Sequence, residues 1–145
     1  MRQQPFIMAI NEAFQEEMRR DDKVYVIGED VQSGTFIATA GLVQEFGTDR
    51  VMDTPLSEQA IAGAAIGSAM AGYRPVVDLM FADFMWCCAD EIFLKAAKWR
   101  FIHAGKVNIP VVIFANMGGG VKVGPEHSQT KIGRASCRER VSSPV

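Results

Sequence analysis

Two residues are best placed to do chemistry, Glu58 and His127, and each lies just past a stretch that punctuates the chain. Glu58 closes Asp53-Thr54-Pro55-Leu56-Ser57-Glu58, where a proline turn leads into a run of small and apolar residues. A carboxylate in the first turn of a helix is favoured by the helix dipole and by the free backbone N–H groups there. A plain capping acid would occupy the same place. What points beyond a cap is the small-residue helix behind it. Such a helix packs close to a sheet and holds the carboxylate partly desolvated at a crevice, the setting in which an acid is tuned for proton transfer. His127 lies in Glu126-His127-Ser128-Gln129, just after the glycine-rich stretch Gly118-Gly119-Gly120. An imidazole can give or take a proton near neutral pH, though a lone histidine is more often a structural or surface residue than a catalytic one. His103, in the last turn of a helix, is accounted for by the helix dipole.

Other motifs are excluded by their spacing. Gly118-Gly119-Gly120-Val121-Lys122 lacks the Gly-Lys-Ser/Thr ending of a phosphate loop. Gly63, Gly67 and Gly72 lie inside or at the end of a helix rather than opening one, so no dinucleotide-binding fingerprint is present. Phe81 and Phe84 could be core residues.

The elements that must position these residues alternate between helical and strand periodicity. Ile7, Ile10, Phe14 and Met18 recur at helical spacing and predict an amphipathic helix over about Pro5 to Arg20. Val24 to Ile27 reads as a short buried strand ending at Gly28-Glu29-Asp30, Gln32 to Ala40 as a loop, and Leu42 to Phe46 as a brief helix closed by Gly47. Val51 to Asp53 is a second strand. Ser57 is expected to cap a helix from Glu58 to Ala71. Pro75 to Phe81 is a third strand, Met85 to His103 a long helix, and Pro110 to Asn116 a fourth strand. Strands separated by such helices predict an α/β fold, a parallel sheet with helices on both faces. Function then collects in the loops after the carboxyl ends of the strands. Four such loops carry polar groups or an aromatic: Gly28-Glu29-Asp30, Asp53 to Glu58, Phe81 to Phe84, and Gly118 to Gln129.

The 145 residues, 48% apolar and 22% charged, suit one globular domain with a real core. The apolar stretch Ala60 to Gly72 is shorter than the roughly 18–20 residues a bilayer requires, so no membrane segment is expected. A net charge of −2, with no basic stripe interleaved with aromatics, argues against nucleic acid. Cys87, Cys88 and Cys137 form neither a disulfide framework nor a zinc motif, which suits the reducing bacterial cytoplasm or an organelle matrix. From Lys131 the character changes: Lys131 to Val141 has neither apolar periodicity nor turn logic and resembles a sequencing-library adapter read in frame. The expected division is therefore a domain over 1–130 and a non-native tail over 131–145.

Taken together, Gly28-Glu29-Asp30-Val31, Asp53 to Gln59, Phe81-Ala82-Asp83-Phe84, Ala96-Ala97-Lys98 and His127-Ser128-Gln129 form a specific set. They follow one another as in the β subunits of pyruvate, branched-chain 2-oxoacid and acetoin dehydrogenase complexes. The chain resembles, up to Gln129, a truncated β subunit of their thiamine-diphosphate-dependent decarboxylating component. The resemblance implies an incomplete transketolase-like pyrimidine-binding domain. It also implies that Glu58 hydrogen-bonds the aminopyrimidine ring nitrogen of thiamine diphosphate and favours its imino form. Leu56 would lend a backbone contact, Phe84 would pack against the ring, and His127 would face the substrate and the incoming lipoyl group. Val111 matches a position whose carbonyl can bind potassium, but no metal site is assigned to this chain.

The implied partners are an α subunit in an α2β2 heterotetramer, a lipoyl-bearing acyltransferase, and a 2-oxoacid or acetoin as substrate. The diphosphate–magnesium motif is absent from this sequence. In the family it belongs to the α subunit, so the fragment is expected to be inactive alone. The sequence departs from the family at Pro125-Glu126, beside His127, while Cys87-Cys88 occupies a helix start where the family varies. The rival reading is a non-catalytic α/β scaffold that only packs or binds a partner subunit.

Overall fold

A computed structural model describes residues 3–129; the tail expected over 131–145 lies outside the described residues. Four strands, β1 (Val24–Gly28), β2 (Val51–Asp53), β3 (Arg74–Phe81) and β4 (Val112–Asn116), form one parallel sheet in the order β2-β1-β3-β4. Alternation within the strands feeds two cores. Tyr25, Ile27, Val77 and Leu79 point toward α3 (Glu58–Met70). Val24, Val26 and Val76 point toward α1 (Phe6–Arg20) and α2 (Leu42–Phe46). A strand buried on both faces is a near-continuous apolar run, as Val24 to Ile27 is. The expected parallel sheet with helices on both faces is what the chain forms.

Small side chains set how close α3 lies to the sheet: Ala62, Ala65 and Ala69 are fully buried in its inner face. Tyr25 of β1 reaches that helix, its hydroxyl 2.6 Å from Ser68 Oγ. No helix among the described residues is long and apolar enough to cross a membrane.

Two local expectations need correction. Ser57 stands at the N-cap position of α3, but its hydroxyl donates to the Pro55 carbonyl at 2.9 Å and caps no helical N–H. The proline turn brings that carbonyl within reach of the hydroxyl, which is engaged there. The long helix expected over Met85 to His103 is not uniform either. It opens as a 3₁₀ turn at Ala82–Cys88, widens into a π-helical turn at Glu91–Ala96, and only then becomes α4 (Ala97–Ile102). The widened turn coincides with Glu91 turning inward against Gly63 of α3, where it meets Lys95. Wide turns of this kind are frequent at functional sites.

Two side chains tie the loops to this frame. Asn11 is buried and gives its amide N–H groups to the carbonyls of Ala38 and Ala40, both at 2.9 Å, pinning the loop after β1. Arg50 donates to the carbonyls of Met18 and Asp21, each at 2.8 Å, and to that of Val24, while its guanidinium lies over the Phe46 ring.

Candidate functional site

The strand order decides where a site can form. The chain leaves β1 toward β2 by way of α2, on the face of α1. It leaves β3 toward β4 by way of the 82–102 helical segment, on the face of α3. Connections from adjacent strands thus part to opposite faces, and a crevice opens at the carboxyl edge between them. Glycine at the end of β1 lets the strands meet there. A Cβ on Gly28 would stand well inside van der Waals distance of the Asp78 carbonyl oxygen and 3.1 Å from Asp78 Cβ.

Glu58 enters this edge from the turn after β2. It is half-buried, and among the described residues no hydrogen bond or ion pair engages its carboxylate. With Ser57, Gly63, Cys87 and Glu91 it lines a groove of about 630 Å³ between the start of α3 and the 82–88 turn. Glu29, from the turn after β1, is close enough to feel it. Burial and the Glu58 charge push the Glu29 carboxyl above its ordinary value, against a bond from the Ser57 N–H. In the same turn as Glu58, the buried Thr54 hydroxyl oxygen has no hydrogen-bond partner among the described residues. Leu56 projects outward, 76% exposed.

Across the edge stands a wall of rings. Phe81 meets Phe36, Phe84 and His127 edge-on, with centroids 5.2, 5.9 and 4.9 Å apart, and Phe84 meets His127 at 5.2 Å. Such T-shaped contacts are the favoured arrangement of neighbouring rings. Phe84 and His127 are therefore brought together directly, and Glu58 lies at the same edge of the sheet. Cys87 is exposed in the groove. Cys88 is buried, and burial first, then Cys87, pushes its thiol up to about 11, so it packs as an inert group. Val111, half-buried just before β4, packs on the α3-side core.

Two contributors were not singled out by the sequence reading, Phe36 and Asp78, and Glu29 was named only as part of the Gly28-Glu29-Asp30 loop. Phe36 sits in what looked like a polar loop, and its one signal was being an aromatic there. Asp78 is 5% exposed within β3, one of the two inner strands, and its Oδ1 accepts the Met80 N–H at 2.8 Å. Burial pushes its carboxyl up to about 6, against that hydrogen bond.

Between the ordinary value of 3.8 and about 6, the unfolded chain has lost this proton while the folded chain keeps it. Raising the pH through that window therefore weakens folding, by about 3 kcal/mol for a shift of about two units. The stabilising contribution is complete below the ordinary value and gone above about 6. Denaturation midpoints of wild type and Asp78→Asn, followed from pH 4 to 7, should diverge in this sense. A wild-type curve parallel to that of Asp78→Asn would show that Asp78 titrates normally.

A parallel sheet with helices on both faces and a crevice at the carboxyl edge of its switch point defines a doubly wound α/β domain. The chain belongs to the family of the transketolase pyrimidine-binding domain, whose profile matches residues 2–134. It is 50% identical over 127 residues to the 2-oxoisovalerate dehydrogenase subunit beta of Bacillus subtilis, covering 86% of this chain and 39% of that protein. It is 46% identical over 134 residues to the acetoin:2,6-dichlorophenolindophenol oxidoreductase subunit beta of Cupriavidus necator, covering 84% and 39%. Against the pyruvate dehydrogenase E1 component subunit beta of Rickettsia conorii it is 44% identical over 123 residues, covering 83% and 38%. The chain thus spans about two fifths of the length of these relatives. Among solved structures, a split-gene transketolase described as an inactive beta4 tetramer superposes with a TM-score of 0.51 at 21% identity, over 83% of this chain and 35% of that one. That likeness concerns the fold.

Proposed function

We propose that this chain is part of the β subunit of a thiamine-diphosphate-dependent dehydrogenase acting on a 2-oxoacid or on acetoin, and that its crevice holds the aminopyrimidine end of the cofactor. The observation that carries the reading is the half-buried Glu58 carboxylate, without a hydrogen-bonding or ionic partner among the described residues, at the edge where Phe84 and His127 meet. The residues fit such a group: a carboxylate for a ring nitrogen, an aromatic for a ring face, and a backbone turn at Leu56 for an exocyclic amine. When bound, thiamine diphosphate supplies an acidic carbon nucleophile and an electron sink for decarboxylation.

The chain's own part is proton placement and exclusion of water. Glu58 holds a proton at the aminopyrimidine ring nitrogen. Phe84 flanks the ring, and Phe81 and Phe36 close the wall behind it against solvent. His127 faces the reacting carbon of the substrate and the arriving lipoyl group.

Residues 1–130 are read as the domain and 131–145 as adapter-derived. The diphosphate, with magnesium, is read as held mainly by an α subunit in an α2β2 assembly, which passes its acyl group to a lipoyl-bearing acyltransferase. The compartment is read as the bacterial cytoplasm or an organelle matrix, in keeping with the exposed, unpaired Cys87.

The test uses a full-length β chain assembled with its α subunit. Thiamine diphosphate should bind the pair and not the β chain alone. His127→Ala should leave proton exchange at the thiazolium carbon within about threefold of wild type, while acyl transfer to lipoyl groups falls by about 10². An assembled pair that does not bind thiamine diphosphate would refute the reading.

A further inference from the structure

Strand β3 contains one residue more than its neighbour requires. Val76, Val77 and Asp78 pair in order with Val112, Ile113 and Phe114 of β4, but the next pair is Phe81 with Asn116. Three steps along β3 therefore match two along β4, a β-bulge at Leu79–Met80. Because side chains alternate with a period of two, one extra residue moves everything after it to the other face of the sheet. Plain alternation from Val77 and Leu79 would send Phe81 into the core under α3. Paired with Asn116, it lies instead on the side of Asp78 and Phe114, where its ring meets Phe36, Phe84 and His127.

The bulge has its own fastening. Met80 has φ +58, a left-handed conformation that a non-glycine residue rarely adopts. Its two backbone polar groups are both taken by side chains. Asp78 Oδ1 accepts the Met80 N–H at 2.8 Å, and Asn116 Nδ2 donates to the Met80 carbonyl at 2.9 Å. A short polar side chain buried in an inner strand of a parallel sheet is costly unless it is used in this way.

We propose that Asp78 and Asn116 are positioning residues, which hold the Met80 bulge and thereby turn Phe81 onto the ring wall that supports Phe84 and His127. This rests on the reading of the crevice as the aminopyrimidine site. Neither side chain touches the cofactor; both act through Phe81.

The experiment uses the assembled full-length α and β subunits with thiamine diphosphate, reading the cofactor's dissociation constant and proton exchange at its thiazolium carbon. Asp78→Ala and Asn116→Ala should each slow exchange by about tenfold or more at saturating cofactor, the scale of a misplaced group. Asp78→Asn, which keeps an oxygen acceptor for the Met80 N–H, should recover most of that loss. Phe81→Leu should cost as much as Asp78→Ala, and the two together should cost no more than either alone, the non-additivity of residues acting in series. Should Asp78→Ala not assemble, the Asn116→Ala and Phe81→Leu pair gives the same cycle.

Wild-type exchange rates in the assembled alanine variants would overturn the proposal. So would fully additive losses with Phe81→Leu, because Asp78 and Asn116 would then be acting on stability alone. A wild-type assembly that fails to bind thiamine diphosphate would instead overturn the cofactor reading, so the two failures are distinguishable.

Discussion

Glu58→Gln, in a full-length β chain assembled with its α subunit, is expected to slow proton exchange at the thiazolium carbon by about 10² or more, the scale of a lost positioned acid–base group. The amide preserves the shape of the carboxylate and can still hydrogen-bond. It cannot share a proton with the aminopyrimidine ring nitrogen, so the imino form is no longer favoured. Folding should change little. Glu58 is the first residue of α3, half-buried, with no intramolecular hydrogen bond or ion pair among the described residues to lose. An amide at a helix start forfeits only the modest dipole contribution, about 0.3–1 kcal/mol. Measuring exchange without substrate isolates this step from decarboxylation and acyl transfer. If Glu58→Gln exchanges the proton at the wild-type rate, Glu58 is a helix-start acid and nothing more.

Gly28→Ala should have the largest effect on stability. The new methyl would be driven into the backbone carbonyl of Asp78, directly across the β1–β3 pairing. A flexible side-chain tip could move aside, but a strand backbone hydrogen-bonded on both sides cannot do so cheaply. The expected cost is about 3 kcal/mol or more, the upper range for forced overpacking, against a typical total of about 5–15 kcal/mol. Cofactor affinity should fall with it, because any separation of β1 from β3 shifts Asp78 and the bulge that follows. Chemical denaturation of the variant beside wild type checks the first effect. A loss below about 1 kcal/mol would show that the strands separate easily at that end.

Most of the element pattern could be read from periodicity because the forces that fix it are local and repetitive. Val24 to Ile27 announces a strand buried on both faces, and Ile7, Ile10, Phe14 and Met18 announce the inward-facing stripe of α1, of which Met18 is fully buried. What stayed hidden depends on pairings between distant residues. The role of Asn11 was visible only as a polar residue interrupting the stripe between Ile7 and Phe14, since its partners lie in a loop beyond β1. The Met80 bulge has no local signature. Arg-Pro-Val-Val-Asp-Leu-Met-Phe reads as one continuous strand, and only the register against β4 shows the extra residue. For the same reason Phe36 and Phe81 could not be assigned to the ring wall. Glu58 and His127 were singled out by residue type and place in the chain, and Phe84 as a member of the family set; their roles toward a cofactor belong to the proposal above. Ser57 shows the limit of residue-type rules: it stands where a cap belongs, and its hydroxyl serves the proline turn instead.

The strand order also bears on how fast the fold can assemble. β1 lies between β2 and β3, and Val24 pairs with Arg74, far along the chain. Parallel pairings between such distant segments must overcome a large loop-closure cost before any contact rewards it, so folding is slow compared with a helical bundle. During synthesis, at about 5–20 residues per second, β1 emerges seconds before β3 exists to pair with it. Through that interval Val24 to Ile27 has only the shorter β2 to pair with as a strand, and only the core on the α1 and α2 side, with Met18, Leu42 and Val51, can close over it. The apolar strand that ends as the most enclosed part of the sheet is thus the one left waiting longest, and the period of greatest exposure to misassociation falls before residue 74 has been made.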